Sequence, residues 1–226
     1  MKVVGEALDA GVHVESAFVG PGAPPAIIER LHAAGTRVHR LAPGVMERVA
    51  DTVTPQPVAA VVPFVDVPLS ELREATLLVV CVDVRDPGNA GTVLRSAEAS
   101  GADGVICCQG SVDVYNPKTV RASAGSLFHV PVVAGGEPTT VLGEIGKWGL
   151  RRLASVARDG GDHATTDLRG PVAFVLGNEA AGLEGDVLSA CDASVSIPMT
   201  GRSESLNVGM AAAVLCFEAA RQRRVS

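Results

Sequence analysis

Strands that are apolar throughout, rather than alternating, set the architecture of most of this chain. Leu77-Leu78-Val79-Val80-Cys81-Val82, Gly104-Val105-Ile106-Cys107-Cys108 and Val172-Ala173-Phe174-Val175-Leu176 have no polar face, and a shorter run, Val195-Ser196-Ile197-Pro198, follows. A strand with one wet face alternates polar and apolar residues. A strand without that alternation is covered on both sides, as in parallel sheets flanked by helices. Helix-patterned stretches separate these runs, at about 89–100, 116–124, 138–148, 183–190 and 206–222. This βα alternation predicts an α/β fold with a parallel, right-handed doubly wound sheet and helices on both faces. Aromatic residues are only 3% of the chain against 47% hydrophobic residues in all, so the core is expected to be built from Val, Ala and Leu.

The first 64 residues read differently. A helical stretch, Lys2 to Ala10, precedes a strand at Val12 to Val19. A helix follows from Pro25, placed in its first turn, to Gly35 at its end. Arg37 to Leu41 is a second short strand, Pro43 to Val53 another helix, and the β-branched run Val58 to Phe64 a third strand. This makes a small α/β module of its own. The stretch 66–76 holds Pro68 and a short helix-like segment, Ser70 to Glu74, and reads as a linker. The organisation expected is therefore a small domain over 1–65, a linker over 66–76 and a larger domain over 77–226.

Charge and cysteine content narrow the function classes. The net charge of −6 argues against a generic nucleic-acid binder. Local basic clusters matter more than the total: Arg30, Arg37, Arg40 and Arg48 early, Lys118 and Arg121 in the middle, Arg221, Arg223 and Arg224 at the end. No apolar run is long enough to span a membrane, and the N-terminus has no secretory apolar region, so a soluble cytoplasmic protein is expected. The five cysteines form no Cys-x-x-Cys pair and have no His at ligand spacing. Cys81, Cys107 and Cys216 read as small core residues, and no metal site is expected.

Three distant segments read as parts of one site, because each lies where an apolar strand runs into a Gly-rich or polar turn, the place where open α/β sheets bind ligands. The first is Asn89-Ala90-Gly91-Thr92-Val93-Leu94-Arg95. Asn89 or Gly88 stands where it can cap the helix, and Thr92 and Arg95 share a helix face. The order is not G-x-G-x-x-G, and Cys107-Cys108-Gln109 stand where a dinucleotide site would carry an acidic ribose ligand. The second segment is Leu176-Gly177-Asn178-Glu179-Ala180-Ala181-Gly182. Glu179 needs a partner there: Arg95, or the N-terminus of a helix starting near Leu183. The third is Ile197-Pro198-Met199, then Ser205-Leu206-Asn207, which opens a helix from Val208 to Arg221 that is apolar or small on nearly every side. Such a helix must be covered all round, and a second subunit is a natural cover.

Taken together, these segments resemble the three motifs of the SpoU/TrmH family of RNA ribose 2′-O-methyltransferases, in the branch that includes thiostrepton-resistance-type enzymes. The resemblance spans about the last 150 residues. It implies the SPOUT fold, in which the C-terminal segment forms a trefoil knot. It implies S-adenosyl-L-methionine as cofactor, cradled around Leu176, Gly177, Asn178, Ile197, Met199, Leu206 and Asn207. Arg95 would be the catalytic arginine, with Asn89 its structural neighbour, Glu179 a polar support, and Ser205 and Asn207 near the transferred methyl. The segment Lys118 to Ser126 resembles the family's substrate-facing loop, with Lys118, Arg121 and Ser123 toward RNA. The N-terminal module resembles the family's ribosomal-protein-like RNA-binding domain, with Arg30 and Arg37 as candidate contacts.

An arginine is a poor base in water, so the reading favours Arg95 as a guanidinium that positions the 3′-phosphate and stabilises the emerging 2′-oxyanion. The substrate expected is structured RNA, foremost 23S ribosomal RNA, and the assembly a homodimer through the C-terminal helix. Transfer RNA as substrate, and a non-catalytic RNA-binding or ribosome-assembly protein on the same fold, remain open at this point. A nucleotide-binding enzyme of the G-x-G-x-x-G kind is disfavoured by the missing fingerprint.

Overall fold

A computed structural model describes residues 1–49 and 54–224. The chain forms two compact units, Met1–Val65 and Asp66–Ser226.

In the first unit, helix α1 (Lys2–Asp9) leads to strand β1 (Ser16–Val19), helix α2 (Pro25–Ala33), strand β2 (Arg37–Arg40), a short helix α3 (Met46–Val49) and strand β3 (Val58–Val61). The sheet order is β2-β1-β3, with β2 parallel and β3 antiparallel to β1. Strand alternation sends Ala17, Val19 and Val58 inward, where they pack with Ile27 and Leu31 of α2. The rest of the expected 43–53 helix, beyond residue 49, lies outside the described residues.

In the second unit the apolar runs become strands as expected, beginning with β4 (Leu77–Cys81), followed by helix α4 (Pro87–Ser100), β5 (Gly104–Cys107), α5 (Pro117–Ser123), β6 (Val132–Ala134), α6 (Pro138–Lys147), β7 (Arg151–Ser155), β8 (Gly161–Asp162), β9 (Val172–Leu176), α7 (Gly185–Ser189), β10 (Ala193–Ser196) and α8 (Val208–Arg224). The seven strands run β6-β5-β4-β9-β7-β10-β8, all parallel. Every residue of β4 and β9 is buried. Leu78 and Val80 pack with Val141, Leu142 and Ile145 of α6 and Val187 of α7. The opposite face carries α4, which packs against α5 and α8.

Residues 66–76, expected as a linker, are structural members of the second unit. Val67 donates a main-chain hydrogen bond to Val132. Leu72, in a 3-10 turn, is buried in the core and sits over Gly104, where a Cβ would come within 2.7 Å of its methyl group. The turn is apolar on its inner side, so it packs rather than links.

Strands β6, β7 and β8 are additions to the sequence-based expectation. Strand β7 matters most, because it lies next to β9 and β10 and its C-terminal end enters the site.

Candidate active site

The C-terminal ends of β7, β9 and β10 open into a cavity of about 480 Å³, within the size range of small-molecule sites. Its walls include Leu176, Gly177, Asn178, Ile197, Met199 and Leu206, six of the seven residues expected to cradle a cofactor. The seventh, Asn207, is not among them. Ser205 and Glu179 also face the cavity.

The wall is built of tight turns. Asn178 and Gly182 exchange main-chain hydrogen bonds, each 2.9 Å, and Gly182 takes φ +71° to close the turn. A Cβ on Gly177 would collide with the main chain of Gly182 and Leu183, so only glycine fits there. Ile197, Met199 and Leu206 lie outside helices and strands. Among the described residues, their main-chain N–H groups make no hydrogen bond within the chain. Unpaired donors at the wall of a cavity are available to a ligand.

The second motif is bolted to the first. Asn178 donates from Nδ2 to Asp83 O at 3.0 Å and Asp83 Oδ2 at 3.1 Å, and its Oδ1 accepts from Ala180 N and Ala181 N. This side chain is spent on the turn and the main-chain N–H on Gly182, so Asn178 shapes the wall rather than offering a free donor to a ligand. Asp83 itself sits at φ +56°, a conformation non-glycine residues rarely adopt.

Glu179 pairs neither with Arg95 nor with the helix near Leu183. Its carboxylate accepts from Arg85 N (3.3 Å), Asp86 N (3.1 Å) and Asn89 Nδ2 (2.9 Å), all at the turn that opens α4. A carboxylate satisfied by main-chain N–H groups needs no cation. Desolvation opposes its charge, but these hydrogen bonds prevail and hold its pKa below the usual carboxylate value.

The cap of α4 is Asp86, not Asn89 or Gly88: its Oδ1 accepts from Asn89 N at 2.8 Å, with Pro87 in the first turn. Asn89 is thereby freed for another task. Its Oδ1 accepts from Asn207 Nδ2 at 2.7 Å. Asn207 in turn caps α8, its Oδ1 accepting from Gly209 N (2.9 Å) and Met210 N (3.3 Å). One polar chain, Glu179–Asn89–Asn207, thus joins all three motifs. Thr92 does not face the cavity; it donates to Gly88 O and packs under α8, where a Cβ on Gly209 would lie 2.8 Å from it.

Arg95 is exposed on α4, outside the cavity and the polar chain, and makes no ion pair among the described residues. It lies six residues beyond Asn89, about 9 Å along the helix.

The expected RNA-facing residues divide. Lys118 is exposed and 3.7 Å from Asp86, and Arg121 is exposed. Ser123 is fully buried and donates its hydroxyl to Val120 O. That corrects the expectation that Ser123 faces RNA. Ala122 and Ser123 are small because α5 crosses α4 at Gly91, where a Cβ would strike Ala122. In the N-terminal unit, Arg30 is tied to Asp9 at 2.6 Å and to Gly5 O, while Arg37 is exposed.

Residues 155–158, after β7, also line the cavity, with Arg158 3.7 Å from Glu204 across its mouth. Like β7, they are additions to the site expected from sequence. Their signal was available: an apolar pair, Leu153-Ala154, behind two arginines and before an Asp-Gly turn.

Residues 76–217 match the SpoU rRNA Methylase family, and residues 1–67 match the family RNA 2'-O ribose methyltransferase substrate binding. The chain belongs to the SpoU rRNA methylase family. Within that family it is 34% identical over 183 residues to the 23S rRNA (guanosine(2553)-2'-O)-methyltransferase RlmP of Bacillus subtilis (strain 168), covering 81% of this chain and 72% of that protein. It is 37% identical over 209 residues to the 23S rRNA (uridine(2479)-2'-O)-methyltransferase of Streptomyces viridochromogenes, covering 86% and 71%. Among solved structures, the SpoU methyltransferase AviRb from Streptomyces viridochromogenes in complex with the cofactor AdoMet superposes with a TM-score of 0.88 at 30% identity, over 100% of this chain and 89% of that one. An AdoMet-bound rRNA methyltransferase from Sinorhizobium meliloti gives a TM-score of 0.83 at 29% identity, over 98% and 85%. The two-part build of this SpoU chain thus follows the two family matches, one for each compact unit.

Proposed function

We propose that this chain transfers a methyl group from S-adenosylmethionine to a ribose 2′-hydroxyl of ribosomal RNA. The observation that carries the reading is the cavity at the strand ends, walled by the second and third motifs and joined to the first through Glu179, Asn89 and Asn207. A SpoU chain with this constellation intact is an enzyme rather than a scaffold. The family and its 23S-modifying relatives favour ribosomal over transfer RNA.

The cavity suits the cofactor. Leu176, Leu183, Leu188 and Met199 supply apolar wall, unpaired N–H groups supply donors, and Gly177 lets the main chain approach closely. Bound there, the cofactor supplies a sulfonium methyl already activated for transfer. The residues of this chain have the remaining work: holding the 2′-oxygen in line and helping it lose its proton. Arg95 serves as the cation that receives the 3′-phosphate and stabilises the developing oxyanion, with Lys118 and Arg121 binding flanking phosphates. Ser205, on the cavity wall, and Asn207 mark the side from which the methyl is delivered.

The chain acts as a homodimer in the cytoplasm. Met210 and Phe217 on α8 are 60% and 46% exposed, an unusual display for two large apolar side chains on one helix. Pairing through α8 covers them and brings Arg95 of the partner subunit toward the cavity, so each site is shared. Among the described residues, no helix is long and apolar enough to cross a membrane. The C-terminal knot of the SPOUT fold is part of the same reading. The end of α8 is tied back to the loop before β9 and to the residue before β4: Gln222 bonds Thr166 and Leu168, and Arg223 bonds Leu168, Gly170 and Thr76.

The test is direct. Purified protein with methyl-labelled cofactor and protein-free ribosomal RNA should give label confined to ribose at one or a few nucleotides. Label on bases, or none on any RNA, refutes the reading.

A further inference from the structure

In the N-terminal unit, helices α1 and α2 cover the inward face of the sheet. Helices α1 and α2 pack together and against β3 and β2, and the inward residues of the strands form a core with them. The outward residues stand in two cross-strand rows set by the register. One row is Arg37, Ser16 and Val61; the other is His39, Phe18 and Ala59. All six are exposed or half-buried. Phe18 and His39 stack, with ring centroids 5.2 Å apart and planes 19° from parallel. Among the described residues, no carboxylate pairs with Arg37, His39 or the neighbouring Arg40. None of the six is acidic, whereas acidic residues of this unit such as Glu6, Asp9 and Glu29 lie on its helices.

We propose that this outward face, centred on the Phe18–His39 stack and flanked by Arg37, is a docking platform for unpaired RNA bases. In this stack His39 is exposed and Phe18 half-buried; an accessible π-face takes any base, and such stacking is sequence-tolerant. The cations on the edge strand β2 track the phosphates beside it. A face made to bury against protein would be depleted of charge at its centre; here the central ring is bordered by an arginine and a histidine. The chemistry fits single strands, because bases inside a duplex expose no face to stack on.

The platform rests on the RNA-modifying reading only for the class of its ligand, and the two fail separately. The probe is a labelled single-stranded oligouridine titrated with the full chain, with protein-free ribosomal RNA in parallel. Phe18→Ala combined with His39→Ala should weaken oligouridine binding about tenfold or more, with the fold and cofactor affinity retained. Phe18→Tyr should keep wild-type affinity. Arg37→Ala should lower affinity and reduce the salt slope by about one. Single-stranded competitor should displace the probe, and duplex should not. Wild-type affinity in a folded double variant overturns the platform, as does a change of oligomeric state with RNA affinity intact. A chain that transfers no methyl group yet loses RNA on Phe18→Ala keeps the platform and removes the enzyme reading. A chain that methylates and binds RNA regardless of Phe18 does the reverse.

Discussion

Asn207 donates a 2.7 Å hydrogen bond to Asn89 across 118 residues of chain. The direction of this bond is fixed at both ends. Glu179 is acceptor-only when ionised, so Asn89 turns its NH2 toward it and leaves its oxygen for Asn207. Asn207 must then present its own NH2, which leaves its oxygen for the N–H groups that open α8. A carboxylate on the cavity wall and the positive end of a helix are thus linked by two amides of set polarity.

Asn207→Ala should therefore do two things. It removes the cap of α8, costing about 1 kcal/mol, or roughly 2–4 °C in melting temperature for a domain of this size. It also releases Asn89 and lowers turnover. Asn207→Asp separates the effects. A carboxylate still caps the helix, so melting temperature should hold, but it cannot donate to Asn89 and it repels Glu179. Turnover should fall with both variants, measured beside thermal melts. Full activity of the Asp variant would dismiss the link as incidental.

Glu179 carries a pH consequence. Its folded pKa is depressed: desolvation raises it, and the hydrogen bonds from Asn89, Asp86 and Arg85 more than offset that. A depressed carboxyl contributes stability that is complete above its unfolded value and is lost as pH falls through its folded value. Glu179→Gln keeps an oxygen for Asn89 Nδ2 and Asp86 N, both of which bond the same carboxylate oxygen, and gives up the charge and the 3.3 Å bond from Arg85. The Gln variant should stay active at neutral pH and show a shallower loss of melting temperature in acid. Glu179→Ala should lose activity at every pH. Parallel acid limbs in wild type and Gln variant would count against the assignment.

Much of this was legible in the sequence, for physical reasons that differ by element. Strands β4, β5 and β9 declared themselves because burial on both faces leaves no polar residue in them. Strand β7 hid behind Arg151, which is exposed, and Arg152, whose half-buried head is held by Asp192 at 2.6 Å. Strand β6 is three residues after a proline. The motifs were readable as residue types, but their wiring was not. The Glu179 partners are largely main-chain N–H groups, which carry no sequence signature, so the nearest expected cation, Arg95, drew the assignment. Asp86 and Asn89 are both good caps, and Pro87 was the clue that favours Asp86, since proline prefers the first helical position. Ser123 looked like a ligand-facing small residue because only the fold reveals that α5 crosses Gly91 there.

Arg95→Ala should abolish methyl transfer while leaving cofactor affinity within about twofold of wild type. The side chain lies outside the cavity, and its guanidinium is tied to nothing among the described residues, so its removal disturbs no wall. Because the residue is exposed, stability should also change little. Calorimetric cofactor binding beside turnover on RNA checks both halves. Turnover within a few-fold of wild type would remove Arg95 from the chemistry; a large loss of cofactor affinity would mean that it acts on the cavity.

The last prediction concerns α8. Its buried face is Gly209, Ala212, Leu215, Cys216 and Ala219, which settles it on its own subunit. The other side carries Met210 and Phe217, exposed, with Ala213 and Val214 half-covered between them. The helix was expected to need cover all round, and one subunit covers one side. A twofold partner is the simplest cover, since the same patch then meets itself. Phe217→Asp places a charge in that contact without touching the buried face, so each subunit should keep its fold and lose its partner. Val214→Asp, closer to the core, should do the same at some cost in melting temperature. On the proposal that the site is shared across the interface, activity should fall in proportion to dissociation and recover at high protein concentration. Light scattering and turnover over a dilution series measure both. A monomer of full activity at micromolar concentration would end the shared-site reading.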